Sequence, residues 1–377
     1  MSAKSQLVLG IMSGTSVDGA DYALCRISEQ RVQLVKLWSA KFPAPLRQRI
    51  HCAARNDASC WEVAQLHHDL GRFYAKHARA GAPKLRPHYV GLHGQTVFHR
   101  PHHRDSATLQ LGEPAYLAEA INAPVVSNFR AGDLAAGGQG APLATAFHVR
   151  VFAREGLHVC VNNLGGISNV TSIDWRRGAK PRVMAFDTGP ANVLMDLAMR
   201  HFSGGRVHFD QGGRRAARGR VCKPLVRRWL EHPFFQAKPP KSTGRELFGE
   251  PFFETVIKQA NAAALSKPDL MSSLAALTAK SVALNYRLHL PCPPDAVILG
   301  GGGASNAELL RLMAAEFRAF DHDTTVMTSE EAGWPVQSIE AAAFALLAWL
   351  RMNGRPGNVP ATTGASREVC LGQVTPP

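Results

Sequence analysis

A chain of 377 residues is too long for one typical core and fits two domains. Its 45% hydrophobic and 19% charged content is that of an ordinary globular enzyme, and no apolar run reaches membrane-spanning length. The net charge of +14 gathers in Arg214, Arg215, Arg218, Arg220, Lys223, Arg227 and Arg228, without interleaved aromatics or a nucleic-acid recognition motif. That stretch reads as a solvated helix face, and a basic surface also suits anionic ligands such as a nucleotide.

The elements alternate as in a mixed α/β protein. Residues Met1 to Gln6 are polar, show no signal peptide and lead straight into a strand. Leu7 to Met12, Ala20 to Ile27 and Val32 to Phe42 read as strands. Trp61 to Ala80 reads as a helix with Val63, Leu66, Leu70, Phe73 and Tyr74 on one face. Tyr89 to His93 is a short strand, Pro114 to Ile121 a helix, and Pro124 to Asn128 a buried strand. Gly132 to Pro142 reads as a glycine-rich loop that marks the crossing into a second lobe, so the domains are expected as 1–135 and 136–339. Asn192 caps a helix to about Phe202, and Ser272 to Leu288 is another helix. Ala296 to Leu299 is a strand, followed by a helix to Phe317 capped by Ser305 or Asn306. The apolar helix Glu340 to Met352 is expected to pack back across the lobes, and 340–377 to join the first.

Two glycine-hinged segments are variants of one device. Leu9 to Asp21 turns on Gly14-Thr15-Ser16-Val17-Asp18-Gly19, and Val161 to Val170 turns on Gly165-Gly166. Each leaves a strand-like run, turns on glycine with Ser, Thr or Asn, and re-enters one, an arrangement that aims backbone N–H groups and hydroxyls at a phosphate chain. Facing hairpins of this kind suggest a two-lobed kinase with nucleotide in the cleft. Thr15 and Ser16 serve phosphate oxygens, and Asp18 and Asp21 serve magnesium or its waters. The Gly-Lys-Ser/Thr ending of a Walker loop is absent, and a plain hairpin turn is the competing reading. The four glycines Gly300 to Gly303, with Gly301 and Gly302 central, would let a nucleotide approach the backbone, with a helix N-terminus following; a simple strand-to-helix turn is the competing reading.

Asp187, after apolar Val183 to Phe186, is a carboxylate delivered by a short strand onto a loop. It can act as a general base toward a hydroxyl or water, or serve as a cap. Glu340 opens an apolar helix, where a helix-dipole partner is the commoner role. Arg130 can clamp an acidic substrate or pair with Asp133. His99, His102 and His103 lie in a polar loop without zinc spacing and read as solvated. Seven scattered cysteines without a CxxC pair point to reduced thiols in a cytoplasm.

Together these pieces carry a resemblance. The chain resembles the anhydro-N-acetylmuramic acid kinase family of bacterial cell-wall recycling. The matching pieces are Gly10 to Asp21, His93-Gly-Gln-Thr96, Asn128-Phe-Arg130 with Asp133, and Ala136 to Leu143. Further along they are Asn163 to Asn169, Phe186 to Pro190 with Asn192, Pro240 to Glu246, Gly301 to Ala304 with Asn306, Glu340 to Ala345, and Thr363-Gly-Ala365. They run in order along nearly the whole chain. Two places depart from the family's pattern: Ala191 stands for a second glycine, and Phe209 to Arg215 differs from the usual aromatic and small residues.

The resemblance implies the hexokinase–actin fold, α/β with two related lobes and the active site in the interlobe cleft. It implies ATP, magnesium and 1,6-anhydro-N-acetylmuramic acid. The implied reaction opens the anhydro ring with water while phosphorylating O6. The product is N-acetylmuramic acid 6-phosphate, within peptidoglycan recycling and amino-sugar catabolism. By resemblance, Gly14 to Asp21 (Gly14, Thr15, Ser16, Val17, Asp18, Gly19, Ala20, Asp21) bind the nucleotide with Gly165, Gly166, Gly301 and Gly302. Asp187 is the catalytic base, and Arg130, Glu340, Gln95 and Thr96 face the sugar. The expected partners are the amino sugar and ATP, with no nucleic acid or membrane. A homodimer is admitted, and the location is cytoplasmic. A plain sugar or acetate-type kinase would use Asp187 to deprotonate a hydroxyl. A sugar-sensing regulator would want a fused DNA-binding segment, for which a chain starting at its first strand leaves no room.

Overall fold

A computed structural model describes residues 5–101 and 105–377. His102 and His103 lie outside the described residues; His99 is exposed. The chain forms two compact units, Met1–Val151 with Gln337–Pro377, and Phe152–Val336.

The first unit is built on β1 (Gln6–Ser13), β2 (Gly19–Ile27) and β3 (Val32–Lys41), an antiparallel meander. β4 (Tyr89–Arg100) lies parallel to β1, with β5 (Ala107–Leu111) antiparallel to its far end and β6 (Val125–Ser127) parallel to its start. β1 is buried along both faces, as the run Leu7 to Met12 demands of a central strand. The helix Cys60–Gly81 begins in a capping box, Ser59 with Glu62, and buries Leu66, Leu70, Phe73 and Tyr74 in the core that holds Leu9, Ile11 and Tyr22.

The second unit repeats the plan. β7 (His158–Leu164), β8 (Ile167–Asp174) and β9 (Arg182–Pro190) form the meander. β10 (Ala296–Gly300) runs parallel to β7, and β11 (Thr325–Thr328) parallel to β10. The strand order β11-β10-β7-β8-β9 matches β6-β4-β1-β2-β3 of the first unit, with the same senses throughout. Its core centres on the helix Lys267–His289, which is buried almost all round.

The C-terminal residues return to the first unit. The helix Ile339–Met352 packs on β1 and β4, and β12 (Gln373–Thr375) adds an antiparallel strand beside β6. The close approach of this helix requires glycine. A Cβ on Gly10 would stand 1.8 Å from the Ala341 carbonyl oxygen, and one on Gly91 2.1 Å from that of Phe344.

The expected loop from Gly132 begins only after the helix Phe129–Ala135, whose last turn includes Gly132, and residues 136–151 group with the first unit, beyond the crossing placed at 136 from sequence. The buried Asp133 carboxylate accepts from the Gly140 amide, the Asn358 side-chain amide and the Thr363 hydroxyl, each at 2.8 Å. That hub ties the glycine loop to the C-terminal return. The basic stretch is surface: Arg214, Arg218, Arg220, Lys223, Arg227 and Arg228 are exposed, and the helix Lys223–Leu230 turns Leu225, Val226 and Trp229 inward. All seven cysteines are free. Among the described residues no helix is long and apolar enough to cross a membrane.

Candidate active site

In the first unit the candidate residues gather where β1 and β4 meet the Glu340 helix. Gly14 and Val17 close the first turn, Val17 amide to Gly14 carbonyl at 3.2 Å. Val17 takes a φ of 59°, a left-handed conformation that a β-branched residue rarely adopts, and its buried side chain holds it there. Thr15, Ser16 and Asp18 are exposed. Ala20 is buried in the strand, and Gly19 sits against β3, where a Cβ would lie 2.2 Å from the Ala40 carbonyl oxygen.

Asp21 is half-buried and accepts from the Ser39 hydroxyl at 2.5 Å. Burial raises its pKa, and the Ser39 bond draws it partly back. No ion pair reaches it among the described residues. A partly desolvated carboxylate without a counter-cation fits a hard cation whose other ligands are phosphate oxygens and water, and exposed Asp18 can add a second oxygen. No all-protein cage of three or more metal-ligating side chains exists among the described residues.

Gln95 is fully buried and donates to the Gly14 carbonyl at 3.2 Å, and among the described residues its own Oε1 has no partner. Thr96, half-buried, accepts from Gln110 at 3.4 Å. Arg130 donates to His93 Nε2 twice, at 3.1 and 2.9 Å, and to the Gly140 carbonyl at 2.6 Å. It does not pair with Asp133, which the C-terminal return occupies. His93 is buried; desolvation and then the Arg130 charge hold its pKa well below the ordinary imidazole value, so it is the neutral acceptor. Desolvation lowers Arg130 to about 10, against the pull of Glu340, and it stays charged at neutral pH. Water reaches the Glu340 side chain, yet the protein mass around it and then Asp21 raise its carboxyl, while Arg130 lowers it. Glu340 thus senses the charges of both Asp21 and Arg130.

In the second unit the hairpin at Gly165–Gly166 and the turn at Gly301–Gly303 pack together. Gly301 has a φ of 75°, and a Cβ there would lie 2.4 Å from Asn163 Oδ1, while Gly302 faces open space. Asn192 is not a cap. It is the first residue of the helix Asn192–Ser203, and its side-chain amide donates to the Leu164 and Gly165 carbonyls at 2.8 Å. The amides of Ala191, Asn192 and Val193 also go to Gly165 and Gly166 carbonyls. The glycine run does not lead directly into the next helix. A 3₁₀ turn, Gly302–Ser305, intervenes, and Asn306 caps Ala307–Phe320 through the Leu309 amide.

Asp187 lies within β9 and not on a loop beyond it. Between Ser168 and Asn169 the β8–β9 register shifts, so Thr188 is an extra residue, pinned by its hydroxyl to Ser168. The bulge re-aims Asp187 at the strand's edge. Its backbone amide donates to the Lys241 carbonyl at 3.1 Å, and its Oδ2 accepts from the Thr243 amide at 2.8 Å. Burial raises its pKa to about 6, with the Thr243 bond opposing, Glu246 adding and Lys241 opposing. Burial lowers Lys241 to about 8, against Asp187; its ammonium donates to the Phe234 and Phe235 carbonyls. His93, Lys241 and Thr243 belong to sequence motifs that gave them no role; only long-range contacts supply one.

Two units of one topology place the glycine turns after β1, β7 and β10 at the carboxyl ends of parallel strands, where open α/β sheets bind ligands. The family profile described as anhydro-N-acetylmuramic acid kinase matches residues 6–377. A protein of that name from Acaryochloris marina is 41% identical over 97% of this chain and 99% of its own. Another from Gloeobacter violaceus is 42% identical over 98% of each. Among solved structures, a ROK family glucokinase from Streptomyces griseus, in complex with glucose and AMPPNP, covers 91% of this chain and 99% of its own at 16% identity, with a TM-score of 0.42. The chain belongs to the anhydro-N-acetylmuramic acid kinase family, a family of carbohydrate kinases.

Proposed function

We propose that this chain uses ATP to phosphorylate O6 of 1,6-anhydro-N-acetylmuramic acid while water opens the anhydro ring, giving N-acetylmuramic acid 6-phosphate for cell-wall recycling in the cytoplasm. The observation that carries the reading is Asp187, a carboxylate aimed by a bulge, clamped through one oxygen, with a pKa of about 6. A base of that strength is ionised at neutral pH and close to the optimum for proton transfer.

O6 in the anhydro sugar is bridged and has no proton to give. Asp187 therefore takes a proton from water as the water oxygen bonds to C1. The C1–O6 bond breaks, O6 bonds to the γ-phosphorus, and ADP leaves with the broken phosphoanhydride electrons. The phosphoryl group accepts O6, so no separate acid is required.

Gly14 to Asp21, with Gly165, Gly166, Gly301 and Gly302, hold the phosphate chain by backbone approach and by Thr15 and Ser16 hydroxyls. Asp21 and Asp18 would hold magnesium, which neutralises phosphate charge when bound. Arg130 and Glu340, with Gln95 and Thr96, hold the sugar.

Reaction in heavy-oxygen water tests this directly. One label is expected at C1, first in the inverted anomer, and none in the phosphate ester. Early time points and a control without enzyme separate this from slow ring opening. Label in the ester, or a product that keeps its anhydro ring, would replace this reading with that of a plain sugar kinase.

A further inference from the structure

We infer that the Thr243 hydroxyl is the second ligand of the water that Asp187 activates, an assignment that rests on the base role proposed for Asp187. The segment Lys241–Thr243 runs beside β9 and is pinned to Asp187 at both ends. The Asp187 amide donates to the Lys241 carbonyl, and the Thr243 amide donates to Asp187 Oδ2. Among the described residues no protein donor reaches Oδ1. The clamp thus commits one carboxylate oxygen and leaves the other for the reacting water.

Thr243 Oγ1 is buried and has no protein partner among the described residues. A buried hydroxyl left unpaired costs about 1–3 kcal/mol, so its retention beside a carboxylate points to a ligand that completes it. The amide of the same residue lies 2.8 Å from the carboxylate. The residue that bears the hydroxyl is thus held directly against the carboxylate, where one bridging water can serve both groups. The neighbouring Lys241 ammonium, bonded to the Phe234 and Phe235 carbonyls, is a donor only and cannot accept a water hydrogen. With Oδ1 accepting one water hydrogen and Thr243 Oγ1 the other, the remaining lone pair is free to face C1. Two acceptors fix the attack direction in a way that one does not.

Thr243→Val keeps the side-chain shape and the backbone clamp. It is expected to lower kcat about tenfold or more, with KM for the anhydro sugar within about twofold. The acid limb of the pH profile near 6 stays in place, because the Thr243 amide still holds Oδ2. Thermal unfolding occurs at or above the parent temperature, since an unpaired hydroxyl has been removed. Thr243→Ser restores most of kcat. A Val variant with more than half the parent kcat overturns the assignment. A clearly lower melting temperature also overturns it, because the hydroxyl then has a structural partner. Asp187→Asn run in parallel separates the two ideas. If it is inactive while Thr243→Val is fully active, only the Thr243 assignment fails; if Asp187→Asn is active, the base reading fails too.

Discussion

His93 and Arg130 form a pair in which the imidazole is the acceptor and the guanidinium makes two of its bonds to a single nitrogen. A third bond goes to the Gly140 carbonyl, so the guanidinium plane is fixed before any ligand arrives. His93→Ala removes the nitrogen and lets Arg130 swing. The expected result is a KM for the sugar raised about tenfold, with nucleotide affinity unchanged, and partial recovery in His93→Gln. Equal loss of both affinities would mean that His93 only supports the sheet. Asp187 makes a different point about single residues. Its folded pKa of about 6 lies above the ordinary 3.8. Its contribution to stability is therefore full below about pH 4 and is lost as pH rises through about 6. At pH 8 the ionised group works against folding. Asp187→Asn should then unfold later than the parent at pH 8, by about 1–2 kcal/mol once solvent screening is allowed for, and show no advantage at pH 4. Activity moves oppositely: kcat/KM climbs through about pH 6 in the parent and collapses about a thousandfold in the variant.

At the scale of elements, the Ile339–Met352 helix and β1 meet backbone to backbone. Gly10 and Gly91 leave no room between sheet and helix, and Ala341, Ala345 and Ala348 keep the helix side small. Glu340 is carried at the first turn of that helix. Gly10→Ala forces a methyl group into the Ala341 carbonyl, and neither partner is a flexible side chain. Destabilisation of about 3 kcal/mol, read as a lower denaturant midpoint, is expected with weaker sugar binding; an unchanged midpoint would contradict the packing. The strands and this helix were legible because apolar runs and turn residues mark them locally. Leu7 to Met12 names β1, and the run Glu340 to Met352 names the helix within a residue. The bulge at Thr188 was not legible, because a one-residue register shift depends on the partner strand and leaves no trace in composition. For the same reason Asn192 reads as a cap by residue type, while in the fold it ties down the Gly165 turn. Arg130 likewise has Asp133 three residues away, but the long-range bonds of Asn358 and Thr363 take that carboxylate first.

Over the whole molecule, one topology is used twice, but the units are closed differently. The second is continuous, whereas the first is completed by residues 337–377. Asp133 is the joint. It is fully buried, no cation pairs with it among the described residues, and three hydrogen bonds satisfy it. Two of those come from the C-terminal return. Thr363 also accepts the Gln139 amide at its carbonyl, and Ser366 donates to the Ala136 carbonyl, so the glycine loop is held along its length. The loop in turn presents the Gly140 carbonyl to Arg130. Thr363→Val takes one donor from a buried carboxylate without changing side-chain volume. It should cost about 1–3 kcal/mol of stability and loosen Arg130. Sugar binding then falls, while ATP-analogue binding by calorimetry is unchanged. Asp18→Ala is the reverse case: an exposed carboxylate with no side-chain partner among the described residues, whose loss should weaken magnesium-nucleotide binding at unchanged melting temperature. Gly19→Val is a poorer probe of the same loop, because it disrupts the pairing with β3. The two variants make a crossed pair. If Thr363→Val weakened nucleotide and sugar alike, or left both intact despite lower stability, the path from the C-terminal return through Asp133 and Gly140 to Arg130 would not carry sugar recognition.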